Sequence, residues 1–198
     1  MTPGTLYVVA TPIGNLEDIT LRALRVLREV GLVACEDTRR TRTLLTHFGI
    51  HVPVTSYFEH NKLAKGPAIL KTLREGKSVA LVTDAGTPGI SDPGFLLVRE
   101  AREAGIPVVP VPGPSAVVAA LSAAGIPADS FVFDGFLPVK PGKRIHRLEA
   151  LRELQMTLVC YESPHRILAA LEAIGQVFGQ AEIVVARELT KQFEEIVR

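Results

Sequence analysis

The sequence predicts an α/β protein of two domains with mostly parallel sheets, and three features predict it. Short β-branched runs alternate with longer stretches of helical apolar spacing, the signature of β-α-β units. Glycines at 49, 76, 105 and 125 close successive helical stretches. After Gly125-Ile126-Pro127 the alternation starts again.

Taken in order, 6–10 is a strand. The stretch 19–30 is a helix with Leu21, Leu24, Leu27 and Val30 on one stripe, and 32–36 is a second strand. A helix over 40–48 stops at Gly49, 52–57 is a weaker strand, and 64–75 is a helix closed by Gly76. The run 78–83 is apolar without interruption, as the centre of a parallel sheet requires. A helix over 93–104, a strand over 107–111 and a helix over 115–124 with Ser115 as N-cap complete the first series. The second series has strand 131–136, a basic connection, helix 145–153, strand 157–162, helix 165–178 and strand 182–188. The domains are therefore set at 1–115 and 116–198, and the second, ending at Arg198 just after a strand, is expected to be incomplete.

Composition narrows the function. With 22 Lys plus Arg against 21 Asp plus Glu, the net charge is +1, too little to coat nucleic acid or an anionic membrane by bulk electrostatics. At 198 residues and 47% hydrophobic content the chain can build a core without disulfide or metal staples, and disorder and fibrous arrays are excluded. Cys35 and Cys160 lie far apart in apolar runs and read as reduced, buried thiols. The N-terminus has no basic n-region, and its apolar run over 6–10 is too short for a signal peptide, so a cytoplasmic location is expected. The uncharged segment 105–128 is broken by five prolines, at 107, 110, 112, 114 and 127; it reads as strand, turn and helix and not as a membrane span.

In open α/β sheets ligands sit beyond the carboxyl ends of the strands. Three such loops stand out. The first, Ala10-Thr11-Pro12-Ile13-Gly14-Asn15, lacks the G-x-G-x-x-G fingerprint of a dinucleotide site. The second, 84–94, packs glycines and prolines that let a backbone approach a ligand closely, with Asp84 and Asp92 as acceptors. The third, 111–116, aims a helix N-terminus at the same edge.

Other polar residues follow the strands. Glu36-Asp37-Thr38-Arg39-Arg40 combines acids with cations able to grip a phosphate, though a solvated helix start capped by Asp37 or Thr38 explains the same residues. Glu59-His60-Asn61 offers a base or RNA contacts, or simply a polar loop. His165 opens a helix, where it either functions or satisfies local backbone groups. The stretch Lys140, Lys143, Arg144, His146, Arg147, Arg152 reads as a phosphate-contacting patch or as a solubilising helix face. The five histidines form no metal constellation.

Six motifs in order, A-T-P-I-G-N-L-E-D-I-T (10–20), A-C-E-D-T-R-R-T (34–41), D-A-G-T-P-G-I-S-D-P-G (84–94), P-G-P-S-A (112–116), Y-E-S-P-H-R (161–166) and A-R-E-L-T-K (186–191), resemble the tetrapyrrole methylase superfamily of S-adenosylmethionine-dependent methyltransferases. They are most similar to its ribosomal RNA branch. Tetrapyrrole-modifying members carry a more glycine-rich first loop and a G-D-P-type second loop, where this chain has Thr11-Pro12-Ile13 and Gly86-Thr87-Pro88. The family continues beyond A-R-E-L-T-K with a further strand and a C-terminal extension.

The resemblance implies a cofactor cleft between two α/β domains and methylation of a ribose 2′-hydroxyl of a cytidine in 16S ribosomal RNA. It implies cofactor contacts at Pro12, Ile13, Gly86, Thr87, Ile90, Ser115 and Ala116, joined from the second domain by Tyr161, Glu162, Ser163 and Ala186. Glu36, Asp37, Arg39 and Asp84 are the candidates for proton removal or substrate positioning. Arg40, His60, Asn61, Lys143, Arg144 and Arg147 are the candidates for contact with 16S ribosomal RNA or the small ribosomal subunit. A homodimer without membrane attachment is expected. A C-methyltransferase of corrin or porphyrin precursors and a non-catalytic ligand-binding module are the competing readings.

Overall fold

The computed structural model describes residues 2–92 and 94–198, so the expected helix start at Pro93 lies outside the described residues. The chain divides into two compact units, Met1–Ala116 and Val117–Arg198. The first contains β1 (Leu6–Val9), α1 (Leu21–Glu29), β2 (Leu32–Cys35), α2 (Thr38–His47), β3 (Val54–Ser56), α3 (Lys62–Arg74), β4 (Val79–Leu81), α4 (Gly94–Glu103) and β5 (Val108–Val111). α5 (Ala116–Ala124) leads on into the second unit.

The first unit has an all-parallel sheet of order β3-β2-β4-β1-β5. β4, the uninterrupted apolar run, is its centre. Side chains alternate between two helical layers, as strand geometry requires. Val9, Val33, Cys35, Ala80 and Val82 face α1 and α2, whose Ala23, Val26, Leu27 and Leu45 complete one core. Leu6, Ala34, Val79 and Leu81 face the other way, onto Ile69, Leu70 and Leu73 of α3 and Leu97 and Ala101 of α4. This sandwich fixes the strand ends against which any ligand must bind.

Several helix starts differ from the sequence expectation, that of α6 by four residues with Pro141 in its first turn, and two of them shift through side-chain capping. Ile19 is extended and Thr20 is the N-cap, its hydroxyl accepting from the Ala23 amide at 3.1 Å, so α1 begins at Leu21, after a short 3-10 turn over Leu16–Asp18. α2 begins two residues earlier than expected because the Asp37 carboxylate accepts from the Arg39 amide at 2.8 Å.

In the second unit β6 (Phe131–Phe136) and β7 (Thr157–Tyr161) pair in parallel, and α6 (Pro141–Arg152) and α7 (Ile167–Phe178) close a small core of Leu137, Leu148, Ala170, Ala173 and Val177. The expected strand 182–188 shortens to β8 (Val185–Arg187). It pairs antiparallel with β9 (Glu195–Val197), a strand the sequence pattern does not announce. Glu188 and Thr190, at φ 51° and 67°, make the reversal, and the Lys191 amide donates to the Glu188 carbonyl at 2.9 Å. Both cysteines are free. Burial pushes the Cys160 thiol up to about 11 and raises that of Cys35. Among the described residues no helix is long and apolar enough to cross a membrane.

Candidate functional site

Because β2, β4, β1 and β5 are neighbours, the loops that follow them share one edge of the first unit. Main-chain hydrogen bonds tie these loops together. Thr11 and Gly86 form an antiparallel bridge, Thr11 N–H donating to Gly86 O at 2.9 Å and Gly86 N–H to Thr11 O at 3.0 Å. The Thr11 hydroxyl, 2% exposed with its residue, donates to Thr83 O at 3.0 Å, which joins the ends of β1 and β4. The Thr87 hydroxyl donates to Pro114 O at 3.3 Å and so brings in the third loop. Gly86 sits at φ 82°, where a side chain is strained. A Cβ there would lie in ordinary contact with Ile13 Cγ2 and Pro114 O, at 3.5 and 3.8 Å.

The glycine-proline loop is also braced from within. Asp92 Oδ2 accepts from the Gly89 amide at 2.9 Å and Oδ1 from the Gly94 amide at 2.6 Å. Burial pushes the Asp92 carboxyl up, with the two amides and the Thr83 hydroxyl acting the other way. Ile90 is 49% exposed at the tip of this loop.

The acids after β2 and β4 take different positions. Asp84, half-buried, accepts the Asp37 amide at 3.0 Å on Oδ1 and meets Arg40 at 3.4 Å on Oδ2. Both residues line a groove of about 260 Å³ with Thr11, Pro12, Leu16, Thr41 and Leu44. Asp37 and Arg39 are bound to each other, Oδ2 meeting the guanidinium at 3.0 Å. Hydrogen bonds from the Arg39 side chain and amide hold the Asp37 carboxyl down to about 2, so the pair forms the cap of α2 and the carboxylate stays ionised. Glu36 borders a cavity of about 10 Å³, room for roughly one water, together with Tyr57, Thr83, Asp92 and Gly94. Partial desolvation first, then the Asp84 and Asp92 carboxylates, push its carboxyl up.

Of the residues singled out for RNA contact, Arg40 and His60 are exposed. Asn61 is occupied within its own turn, accepting from the Phe58 amide at 2.8 Å and donating to Ser56 Oγ at 3.0 Å. In the second unit Lys143 is exposed, whereas Arg144 is 5% exposed and donates to the Pro138 and Val139 carbonyls at 3.1 and 3.0 Å. Arg147 is paired with Asp134. Arg152 donates to the Val177 carbonyl at 3.2 Å, so the basic stretch contains three arginines used for internal bonding, a distinction that charge counting misses.

Of the second-unit cofactor candidates, the Tyr161 ring packs edge-on against Phe133 with centroids 4.9 Å apart. Glu162 pairs with Arg166 at 2.8 Å and accepts the Ser163 amide at 2.7 Å. Ala186 lies in β8 opposite Ile196. Ser115 and Ala116 stand half-buried at the entry to α5. Sequence reasoning did not single out Thr11, Thr83 and Thr41 as parts of the site. A polar residue placed directly after or within a buried run was the available signal. Among the described residues no group of His, Cys, Asp and Glu is arranged to hold a metal ion.

Comparison with known proteins adds three findings. A family model described as Tetrapyrrole (Corrin/Porphyrin) Methylases matches residues 5–198. The chain is similar to ribosomal RNA small subunit methyltransferase I of Pseudomonas aeruginosa, with 57% identity over 99% of this chain and 70% of that protein. It is similarly related to the proteins of the same name from Mesorhizobium japonicum, 55% identical over 96% of this chain and 65% of that one, and Escherichia coli O157:H7, 54% over 98% and 68%. Among solved structures, a cobalamin biosynthetic enzyme, cobalt precorrin-4 methyltransferase, superposes with a TM-score of 0.72 at 21% identity, covering 98% of this chain and 84% of that one. Uroporphyrin III C-methyltransferase from Thermus thermophilus gives 0.67 at 19%, covering 98% and 87%. At these identities the two structures speak for the fold alone.

Proposed function

The chain belongs to the tetrapyrrole (corrin/porphyrin) methylase family, and from that membership we propose that it uses S-adenosylmethionine to methylate a ribose 2′-hydroxyl of a cytidine in 16S ribosomal RNA, acting as a cytoplasmic homodimer. The RNA substrate is supported by the relatives above half identity, whose name specifies small-subunit ribosomal RNA. One structural observation carries the chemistry: the loops after β1 and β4 border a groove in which Asp84 and Arg40 stand side by side, and hydrogen bonds join those loops to the one after β5.

The residues present suit the cofactor. Its sulfonium is cationic, and the rim presents the Asp84 carboxylate and main-chain carbonyls to it. Gly86, at φ 82° beside Ile13 and Pro114, holds the turn in a conformation that a side chain would strain. Pro12, Ile13, Gly86, Thr87, Ile90, Ser115 and Ala116 are the residues of the first unit that would hold it.

When bound, the cofactor supplies an electrophilic methyl group. Transfer of that methyl to a ribose oxygen would be an in-line displacement that breaks the carbon–sulfur bond and releases S-adenosylhomocysteine, for which the protein's residues would contribute alignment and a proton acceptor. Asp84 fits the acceptor role because one oxygen is anchored on the Asp37 amide while the other meets Arg40 at 3.4 Å, and both residues line the groove. Arg40, mostly exposed, would take an RNA phosphate, and Lys143 is an accessible cation of the basic stretch.

Incubation with tritiated S-adenosylmethionine tests the reading. Small ribosomal subunits lacking the modification are expected to acquire label at one cytidine whose 3′ linkage becomes resistant to alkali. Label appearing instead in a porphyrin or corrin precursor, or cofactor binding without transfer to either substrate, would overturn it.

A further inference from the structure

Asp92 has no part in the chemistry above, yet its carboxylate makes the tightest side-chain contacts in the glycine-proline loop. Its two oxygens accept from different amides, Gly89 at 2.9 Å and Gly94 at 2.6 Å, and so clamp both ends of the turn that carries Ile90. Ser91, inside that turn, is held at φ 60°, a conformation that L residues adopt at a cost and keep only when the surroundings impose it. Gly94 admits no side chain, since a Cβ would come within 2.7 Å of Asp92 Oδ1 and 3.2 Å of the Gly89 nitrogen. The other end of the loop is fixed by Thr11 on Gly86 and by Thr87 on Pro114. Every anchor but Asp92 lies at 84–87. Without it, the arm from Pro88 to Asp92 has no side-chain brace among the described residues.

We propose that Asp92 is a positioning residue for cofactor binding: by clamping Gly89 and Gly94 it keeps the 86–91 arm preformed, with Thr87 and Ile90 presented to S-adenosylmethionine. The inference rests on the proposed function. Its logic is preorganisation. A rim already ordered loses little conformational freedom on binding, whereas a slack one must be ordered at the expense of affinity. Ile90 gives the clamp its purpose, because an apolar side chain half-exposed at a loop tip contributes contact area only if its backbone is held.

The test compares wild type with Asp92→Ala and Asp92→Asn by calorimetry with S-adenosylmethionine, steady-state kinetics and amide hydrogen exchange. Asp92→Ala is expected to raise Kd and the cofactor KM about tenfold, with kcat and the RNA KM changed far less. Exchange at the Gly89 and Gly94 amides is expected to accelerate in the ligand-free protein. Asp92→Asn keeps one acceptor oxygen and should fall between, with a Kd increase of roughly threefold. A folding role alone would lower the active fraction, reducing kcat at unchanged KM, and that pattern in Asp92→Asn would overturn the proposal. So would wild-type cofactor affinity in either variant alongside accelerated exchange. Failure of the wild-type protein to bind the cofactor would instead overturn the proposed function itself.

Discussion

Replacement of Asp84 by Asn is expected to lower kcat for methyl transfer by about 10²–10⁴-fold, with a much smaller loss of cofactor affinity from the charge no longer offered to the sulfonium. The substitution is nearly isosteric. Asn retains the oxygen that accepts the Asp37 amide, so the end of β4 and the start of α2 remain joined. It removes the basic oxygen that meets Arg40, both residues lining the groove. The neighbouring acids provide the contrast. Asp37 is committed to Arg39 and held down to about 2, which makes it a weak base, so Asp37→Asn is expected to affect the cap of α2 more than the chemistry. Glu36 is the alternative acceptor, since desolvation and the Asp84 and Asp92 carboxylates push its carboxyl up. A kcat within about threefold of wild type for Asp84→Asn, combined with a large loss for Glu36→Gln, would move the proton to Glu36 and contradict the assignment; the scale for a lost general base is far larger.

Leu73→Ala is expected to cost about 3 kcal/mol of stability, within the usual 2–5 for a fully buried leucine. Leu73 is completely buried on α3, packed with Ile69, Leu6, Val79 and Leu97. Its carbonyl accepts the Gly4 amide at 2.8 Å, a contact that truncation of the side chain leaves in place, so the loss reports packing alone. For a chain of this size the melting temperature should fall by roughly 6–12 °C. Leu63, on the same helix but 77% exposed, is the control, and its alanine variant should stay within about 0.5 kcal/mol of wild type. Equal effects at the two positions in urea titrations would refute the assignment of the α3 face that packs on the sheet.

The alternation of β-branched runs with helical apolar spacing, and the glycine stops, make most of the fold legible in the sequence, and β4 shows why. An uninterrupted apolar run has no solvent face, so it belongs at the sheet centre, where it lies between β2 and β1. The features that are harder to read depend on side chains reaching backbone. Thr20 and Asp37 move two helix starts, because a capping oxygen competes with propensity over one or two residues, a range that periodicity does not resolve. The β8–β9 hairpin is obscured because the three residues Glu195–Val197 are too short to show alternation.

The candidate site divides in the same way. Loop positions follow from strand ends, so the segments that carry Asp84 and Arg40 are legible in sequence order, whereas their pairing is not. Pairing partners do not follow from order. Asn61, Arg144 and Arg147 look free in a sequence and are engaged in the structure. Asp92 looks like one more acceptor in a polar loop and is found clamping two amides.

The claim on which the account depends is that the methyl donor is held by the loops at the carboxyl ends of β1, β4 and β5. Hydrogen exchange of the wild-type protein with and without saturating S-adenosylmethionine tests it most directly. The account predicts slowed exchange concentrated in 10–15, 84–91 and 112–116. Protection absent from all three segments, with the cofactor demonstrably bound, would contradict it.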